Sequence, residues 1–196
     1  MRLFIAVNFS DEFKGRILEV QERLRSQSTR GSFTRPENLH LTLAFIGETP
    51  EEGLTCLRAI INNINSPSFD VRFNRTGCFT HSRKELWWIG AEKNCQGQGP
   101  GLCPGITSLK SIHDRLIRDL LDAGFHVDTR PFNAHITLAR EVRHLDPIVL
   151  DCPEMLLKVN RVSLMKSENI RGVLTYTELM GRNLEIISMI NRENRV

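Results

Sequence analysis

Two histidines set in matching surroundings are the residues of this chain best suited to chemistry. Arg35-Pro36-Glu37-Asn38-Leu39-His40-Leu41-Thr42-Leu43-Ala44 aligns without a gap on Arg130-Pro131-Phe132-Asn133-Ala134-His135-Ile136-Thr137-Leu138-Ala139, seven identities in ten at an offset of 95 residues. Average composition gives such a pair somewhere in a chain of this length by accident on the order of 1 time in 100, so the repeat is read as real. At the two-residue period of a strand, His40, Thr42 and Ala44 share one face and Leu41, Leu43 and Phe45 the other. The second copy places His135, Thr137 and Ala139 opposite Ile136 and Leu138. Each strand is then anchored by its apolar side, and its His-Thr side is free to line a cleft.

Two imidazoles suit in-line cleavage of a phosphodiester, which needs a base on the nucleophile's side of phosphorus and an acid on the leaving group's side. Histidine titrates near pH 6.5, so one ring can be neutral while the other is protonated, and each proton transfer contributes about 100- to 10,000-fold. The hydroxyls of Thr42 and Thr137 can donate to nonbridging oxygens. Arg140, five residues after His135, is the candidate phosphate clamp, and Arg35 and Arg130, which lead into the two strands, are further possible contacts.

A lone His-x-Thr in a strand is more often structural; it is the duplication that favours chemistry. A metal site would need a third ligand, and neither copy has a nearby carboxylate or a His-Glu-x-x-His pattern, so the expected site is metal-free and without cofactor. His81, His113, His126 and His144 have no matching partner and are given no role. Cys56, Cys78, Cys95, Cys103 and Cys152 form an odd set without a Cys-x-x-Cys pair and are read as reduced thiols. The N-terminus reads as a strand rather than a signal peptide, and no apolar run nears the roughly 20 residues of a membrane span, so a cytoplasmic location is expected. The net charge of +3 leans only weakly toward a polyanionic partner.

The elements that position the motifs follow from periodicity. A strand over Arg2 to Phe9 leads to a Ser10 cap and a helix with Phe13, Ile17, Val20 and Leu24 on its inner stripe. Thr49-Pro50-Glu51-Glu52 has the form of a capping box before a second helix through Leu54, Leu57, Ile61 and Ile64. Strands around Phe69 to Phe73 and Leu86 to Ala91 pair across a turn at Thr80 to Lys84, with Trp87 and Trp88 on opposite faces, one of them a possible stacking platform. The glycine-rich stretch 94–105 reads as a mobile loop and hinge, ahead of a third helix carrying Ile106, Leu109, Ile112, Leu116 and Leu120 and closed by Gly124. Leu157 and Val159 are out of phase with Val162 and Leu164, which suggests a bulge near Asn160-Arg161. A hairpin partner follows from Val173 to Leu179. The tail 181–196 fits a helix or a strand equally.

His40-Leu41-Thr42-Leu43 and His135-Ile136-Thr137-Leu138, with the Arg-Leu-Phe-Ile-Ala start and Arg140, resemble the two-histidine (2H) phosphoesterases, and among them the RNA 2',3'-cyclic phosphodiesterases first described as 2'-5' RNA ligases. The resemblance implies an α+β, bilobal fold of two pseudo-symmetric lobes, with antiparallel sheets lining a central cleft and helices outside. It covers residues 1–180, leaving 181–196 as a C-terminal extension. It implies metal-independent hydrolysis of 2',3'-cyclic phosphate on RNA 3' ends or nucleotides to a 2'-phosphomonoester, with no membrane and no obligate protein partner. His40 would donate a proton to O3' and His135 accept one from water, roles the repeat's symmetry does not assign. Thr42, Thr137 and Arg140 would hold the phosphate, with Phe9 or Phe132 beside the base. Reversible 2'-5' RNA ligation and a non-catalytic nucleotide-binding module are the competing functions.

Overall fold

The computed structural model describes residues 1–82, 84–92 and 103–185. Among these residues nine strands form two antiparallel sheets. One contains β1 (Arg2–Asn8), β3 (His40–Glu48), β8 (Arg161–Ile170) and β9 (Val173–Asn183), in the order β3-β1-β8-β9. The other contains β2 (Arg30–Phe33), β4 (Phe69–His81), β5 (Lys84–Ala91), β6 (His135–Arg143) and β7 (Met155–Val159), in the order β2-β6-β5-β4-β7. Three helices, α1 (Asp11–Ser26), α2 (Gly53–Asn62) and α3 (Pro104–Asp122), complete the expected α+β architecture. The two motif copies begin β3 and β6, one in each sheet.

Outward from its motif strand, each sheet runs through three more strands, β1-β8-β9 in one and β5-β4-β7 in the other. Among the described residues β2 is the one unmatched strand; it pairs with β6 on the side where β3 has no strand beside it. The main apolar cluster draws on both sheets and all three helices, including Leu3, Ile5 and Val7 of β1, Leu41 and Leu43 of β3, and Ile136 and Leu138 of β6. α1 follows β1 in sequence but packs on β6 and β7, which ties the sheets together.

Helix α1 starts as the sequence predicts, with the Ser10 hydroxyl accepting from the Phe13 amide at 3.3 Å. Helix α2 does not. The amide of Thr49 donates to the Met1 carbonyl (2.9 Å) and its hydroxyl to the Gly47 carbonyl (3.3 Å), so Thr49 closes the β1–β3 ladder instead of capping. The helix begins four residues later, at Gly53.

The expected bulge at Asn160-Arg161 is a passage between sheets. β7 belongs to one sheet and β8 to the other, with Asn160 as the single residue between them, so Leu157 and Val162 face the same core from different sheets. β9 continues through residues 181–183, and Leu184 is buried. Residues 94–102 of the glycine-rich stretch and 186–196 of the tail lie outside the described residues. Cys103 is disulfide-bonded, which corrects the reading of five reduced thiols and removes the cysteines as an argument about compartment; Cys56, Cys78 and Cys152 are free. Among the described residues no helix is long and apolar enough to cross a membrane.

Candidate active site

Strict alternation along the motif strands would send Arg140 to the opposite face from His135. The structure differs by one residue in each copy. Ala6 pairs with Thr42 and Ile5 with Ala44, leaving Leu43 as an extra residue in β3; Trp88 pairs with Thr137 and Trp87 with Ala139, leaving Leu138 extra in β6. These bulges reverse the phase. Ala44 and Ala139, expected beside the histidines, are buried at 3% and 0% exposure, while Phe45, expected on the Leu41 and Leu43 side, is 41% exposed. Phe45 and Arg140, themselves 95 residues apart, therefore join the His-Thr face.

Side chains from the two helices hold the bulged carbonyls from behind. The Leu138 carbonyl accepts from Gln21 Nε2 of α1 at 2.9 Å, and the same amide nitrogen donates to the Thr34 carbonyl at 2.8 Å. The Leu43 carbonyl accepts from His113 Nδ1 of α3 at 2.7 Å. Both side chains are buried polar groups whose partners are the strand itself. Gln21→Leu keeps the volume and removes the donors, so the unfolding free energy should fall by about 1–3 kcal/mol. The midpoint of urea denaturation measures it, and an unchanged midpoint would show the clamp to be idle.

Each catalytic candidate is fixed the same way. His40 Nδ1 lies 2.7 Å from the Asn38 carbonyl and His135 Nδ1 lies 2.7 Å from the Asn133 carbonyl. A carbonyl only accepts, so Nδ1 carries the proton in both rings and Nε2 is left to work. His40 Nε2 meets Thr42 Oγ1 at 3.0 Å. Aromatic rings flank each imidazole: Phe4 (4.9 Å between centroids) and Tyr176 (5.2 Å) at His40, Phe79 (5.4 Å) and Trp88 (6.5 Å) at His135.

Two cavities share this face, and they exchange the motifs. One, of about 160 Å³, is lined by His40 from the first copy together with Thr137 and Arg140 from the second, and by Ser32, Arg35, Asn38 and Tyr176. The other, of about 530 Å³, is lined by His135 from the second copy with Thr42 and Phe45 from the first, and by Phe79, Arg130 and Phe132. The two halves differ where the repeat itself differs, Arg140 in one standing where Phe45 stands in the other. A larger depression along α3, about 670 Å³, is lined by Arg118 and by two ion pairs, Lys110 with Asp114 and Arg115 with Asp119, and its lining contains no His or Cys.

Of the other expected contacts, Arg35 lies at the His40 cavity in an ion pair with Glu37 (3.4 Å). Arg130 lies at the His135 cavity, held by both oxygens of Asp128. Phe132 is stacked on His113 at 4.3 Å there. Phe9 is not brought to the site: it is 7% exposed and packs against Phe13 in the core. Neither tryptophan is a free platform, since Trp87 packs on the core with its indole N–H donated to Glu85 (2.8 Å). Trp88 lies flat over Gly77 and Gly90, where any Cβ would overlap its ring. Sequence reasoning missed Tyr176, Phe79, Gln21 and His113; the last two carried a signal, a polar residue on an otherwise apolar helix stripe. Among the described residues no cluster of three or more His, Cys, Asp or Glu side chains is placed to hold a metal ion.

Both imidazoles titrate below the ordinary histidine value. Burial is the first cause for His40, partly opposed by the Asn38 carbonyl, with the charges of Arg140 and His135 lowering it further. Burial again leads for His135, opposed by the Asn133 carbonyl and reinforced by Arg140. Folded-state values below 6.5 mean that the unfolded chain binds protons first as pH falls. The stability these rings allow is therefore present above pH 6.5 and lost as pH drops through their folded values. The melting temperature should decline from pH 7.5 to pH 5, and less steeply in His40→Asn. An equal slope in both proteins would mean that His40 is not the linked group.

The family model for LigT-like phosphoesterases matches residues 7–88 and 104–175. The chain is 30% identical over 152 residues to the RNA 2',3'-cyclic phosphodiesterase of Archaeoglobus fulgidus, covering 77% of this chain and 78% of that protein. It is 27% identical over 178 residues to the protein of the same name from Escherichia coli, covering 91% and 93%. The crystal structure of E. coli LigT complexed with 3'-AMP superposes with a TM-score of 0.75 at 27% identity, covering 93% of this chain and 97% of that one.

Proposed function

Because the chain belongs to the LigT-like 2H phosphoesterase family, we propose that it opens the 2',3'-cyclic phosphate of RNA ends to a 2'-phosphomonoester by metal-independent acid-base catalysis. The observation that carries this reading is the exchange of motifs across the two cavities, which puts one histidine and the other copy's threonine on each side of a shared centre. A phosphate at that centre has Thr42 and Thr137 as hydroxyl donors and Arg140 as a guanidinium.

In this reaction the water oxygen bonds to phosphorus from the His135 side, and its proton passes to His135 Nε2. The bond from phosphorus to O3' breaks on the opposite side, and His40, entering as the imidazolium with its Nδ1–H kept on the Asn38 carbonyl, gives its Nε2 proton to make the 3'-hydroxyl. Exchange with solvent resets both rings. Arg35, Arg130 and Phe132 are peripheral contacts, and residues 181–196 extend a catalytic domain placed over 1–180. A cytoplasmic location goes with this reading.

A second reading, reversal of the same step to join a 2'-phosphate to a 5'-hydroxyl, has one observation in its favour. The cavity on the His135 side, where the nucleophile arrives, is the roomier and carries Phe45, Phe79 and Phe132, more apolar surface than a lone water needs.

The test is incubation of EDTA-treated protein with an oligoribonucleotide ending in 2',3'-cyclic phosphate, resolving 2'-phosphate, 3'-phosphate and substrate. Formation of 2'-phosphate is the expected result. Binding without turnover would replace this reading with that of a nucleotide-binding module.

A further inference from the structure

We infer that Arg30 and Arg143, in line with Arg140, form a track that binds the backbone phosphates on the 5' side of the terminal nucleotide, so that an RNA strand is preferred to a mononucleotide. The inference rests on the proposed reaction and concerns the part of the substrate that does not react.

β2 is the strand that the repeat does not explain, and it brings the track together. In the β2–β6 ladder, Ser32 pairs with Arg140 and Arg30 with Arg143; the register shifts between the two pairs, at Glu141 with its positive φ of 53°, so two steps of β2 match three of β6. Residues directly opposite one another share a face, as do residues two apart in one strand. Arg30, Ser32, Arg140 and Arg143 therefore lie on one surface, and Ser32 and Arg140 line the His40 cavity. Two residues of strand span about 6.8 Å, comparable with the step between phosphates in an extended nucleic-acid strand.

The charges are not accounted for by folding. Like charges directly opposite in a ladder are destabilising, yet Arg30 faces Arg143, and among the described residues neither they nor Arg140 forms an ion pair with a carboxylate. The nearby carboxylate, Glu141, is held by Lys84 at 2.6 Å, and its lowered pKa is caused first by that lysine, with Arg30 and Arg143 acting on it only from a distance. Such an excess of cations continuing from a phosphate clamp fits a polyanion. Direction follows from chemistry: His40 protonates O3', so the ribose lies in the His40 cavity, and the chain leaving its 5' side emerges past Ser32 toward Arg30.

The full-length protein tests this with two substrates, a nucleoside 2',3'-cyclic phosphate and a short oligoribonucleotide ending in the same group. In the double variant Arg30→Gln, Arg143→Gln, the KM for the oligonucleotide should rise about tenfold. The salt dependence of its kcat/KM should flatten by about 1.4 in log-log slope, about 0.7 per lost contact to a single strand. Neither kcat nor any constant for the mononucleotide should change, and relief of the facing charges should leave the melting temperature equal or higher. An unchanged oligonucleotide KM and salt slope, or equal losses on both substrates, would overturn the track. If the native protein turns over neither substrate, the hydrolase reading fails separately. The track is then judged by fluorescence anisotropy with the same oligonucleotide: weaker, less salt-dependent binding by the double variant supports it, and equal binding overturns it.

Discussion

His40→Ala and His135→Ala are each expected to lower turnover of a cyclic phosphate by about 100- to 10,000-fold, and the double variant by little more than either alone, because acid and base serve one transition state. The fold should survive: both rings stand on the cleft face and belong to neither apolar cluster. The two variants should part on an aryl phosphodiester, whose phenolate leaves without a proton. His40→Ala loses its function as acid and should recover most activity there, whereas His135→Ala still lacks a base and should not. The reverse pattern would exchange the two roles, and a loss below tenfold for either would remove that histidine from the chemistry.

Arg140→Ala is expected to cost about 100- to 1,000-fold in kcat, the typical effect of removing a donor aimed at developing charge. Lys at this position restores the charge but not the planar fork and should recover only part. A second readout is electrostatic. Arg140 lowers the titration of both His40 and His135, so its removal should let both rings keep their protons to higher pH. Both limbs of the pH-rate profile would then move upward, as would the imidazole resonances in an NMR titration. A profile that loses amplitude without moving would mean that Arg140 lies too far from the rings to share their phosphate.

The repeat made the two motif strands and their shared His-Thr pairs legible in the sequence, because a polar pair on an apolar strand has few structural explanations. What surrounds the strands was less so. A single inserted residue changes which side chains meet, and neither Leu43 nor Leu138 differs in type from a residue in a regular strand; their role is set by ladder register and by buried donors on helices distant in sequence. Arg140 was expected from its reach to lie with His135 and lines the His40 cavity instead, whereas Phe45 was assigned to the wrong face by the alternation rule. The phase change between Val159 and Val162 was visible, but a bulge and a crossing between sheets look alike along one chain. Thr49 satisfied every local requirement of a cap and was claimed instead by Met1, a partner 48 residues away.

That β3 has, among the described residues, no strand on its outer side has a consequence beyond the site. A strand with one free side offers amide and carbonyl groups to any other chain that can lie along it, the route by which soluble proteins stack into aggregates. Here the defence coincides with the machinery. The bulge at Leu43 interrupts the row of groups, and α3 lies against the strand with His113 occupying the Leu43 carbonyl. On the other motif strand β2 does the same service by pairing outright. The irregularity that turns Phe45 toward the site thus also blunts the open side of β3, so edge protection and site geometry on that strand rest on the same hydrogen bond.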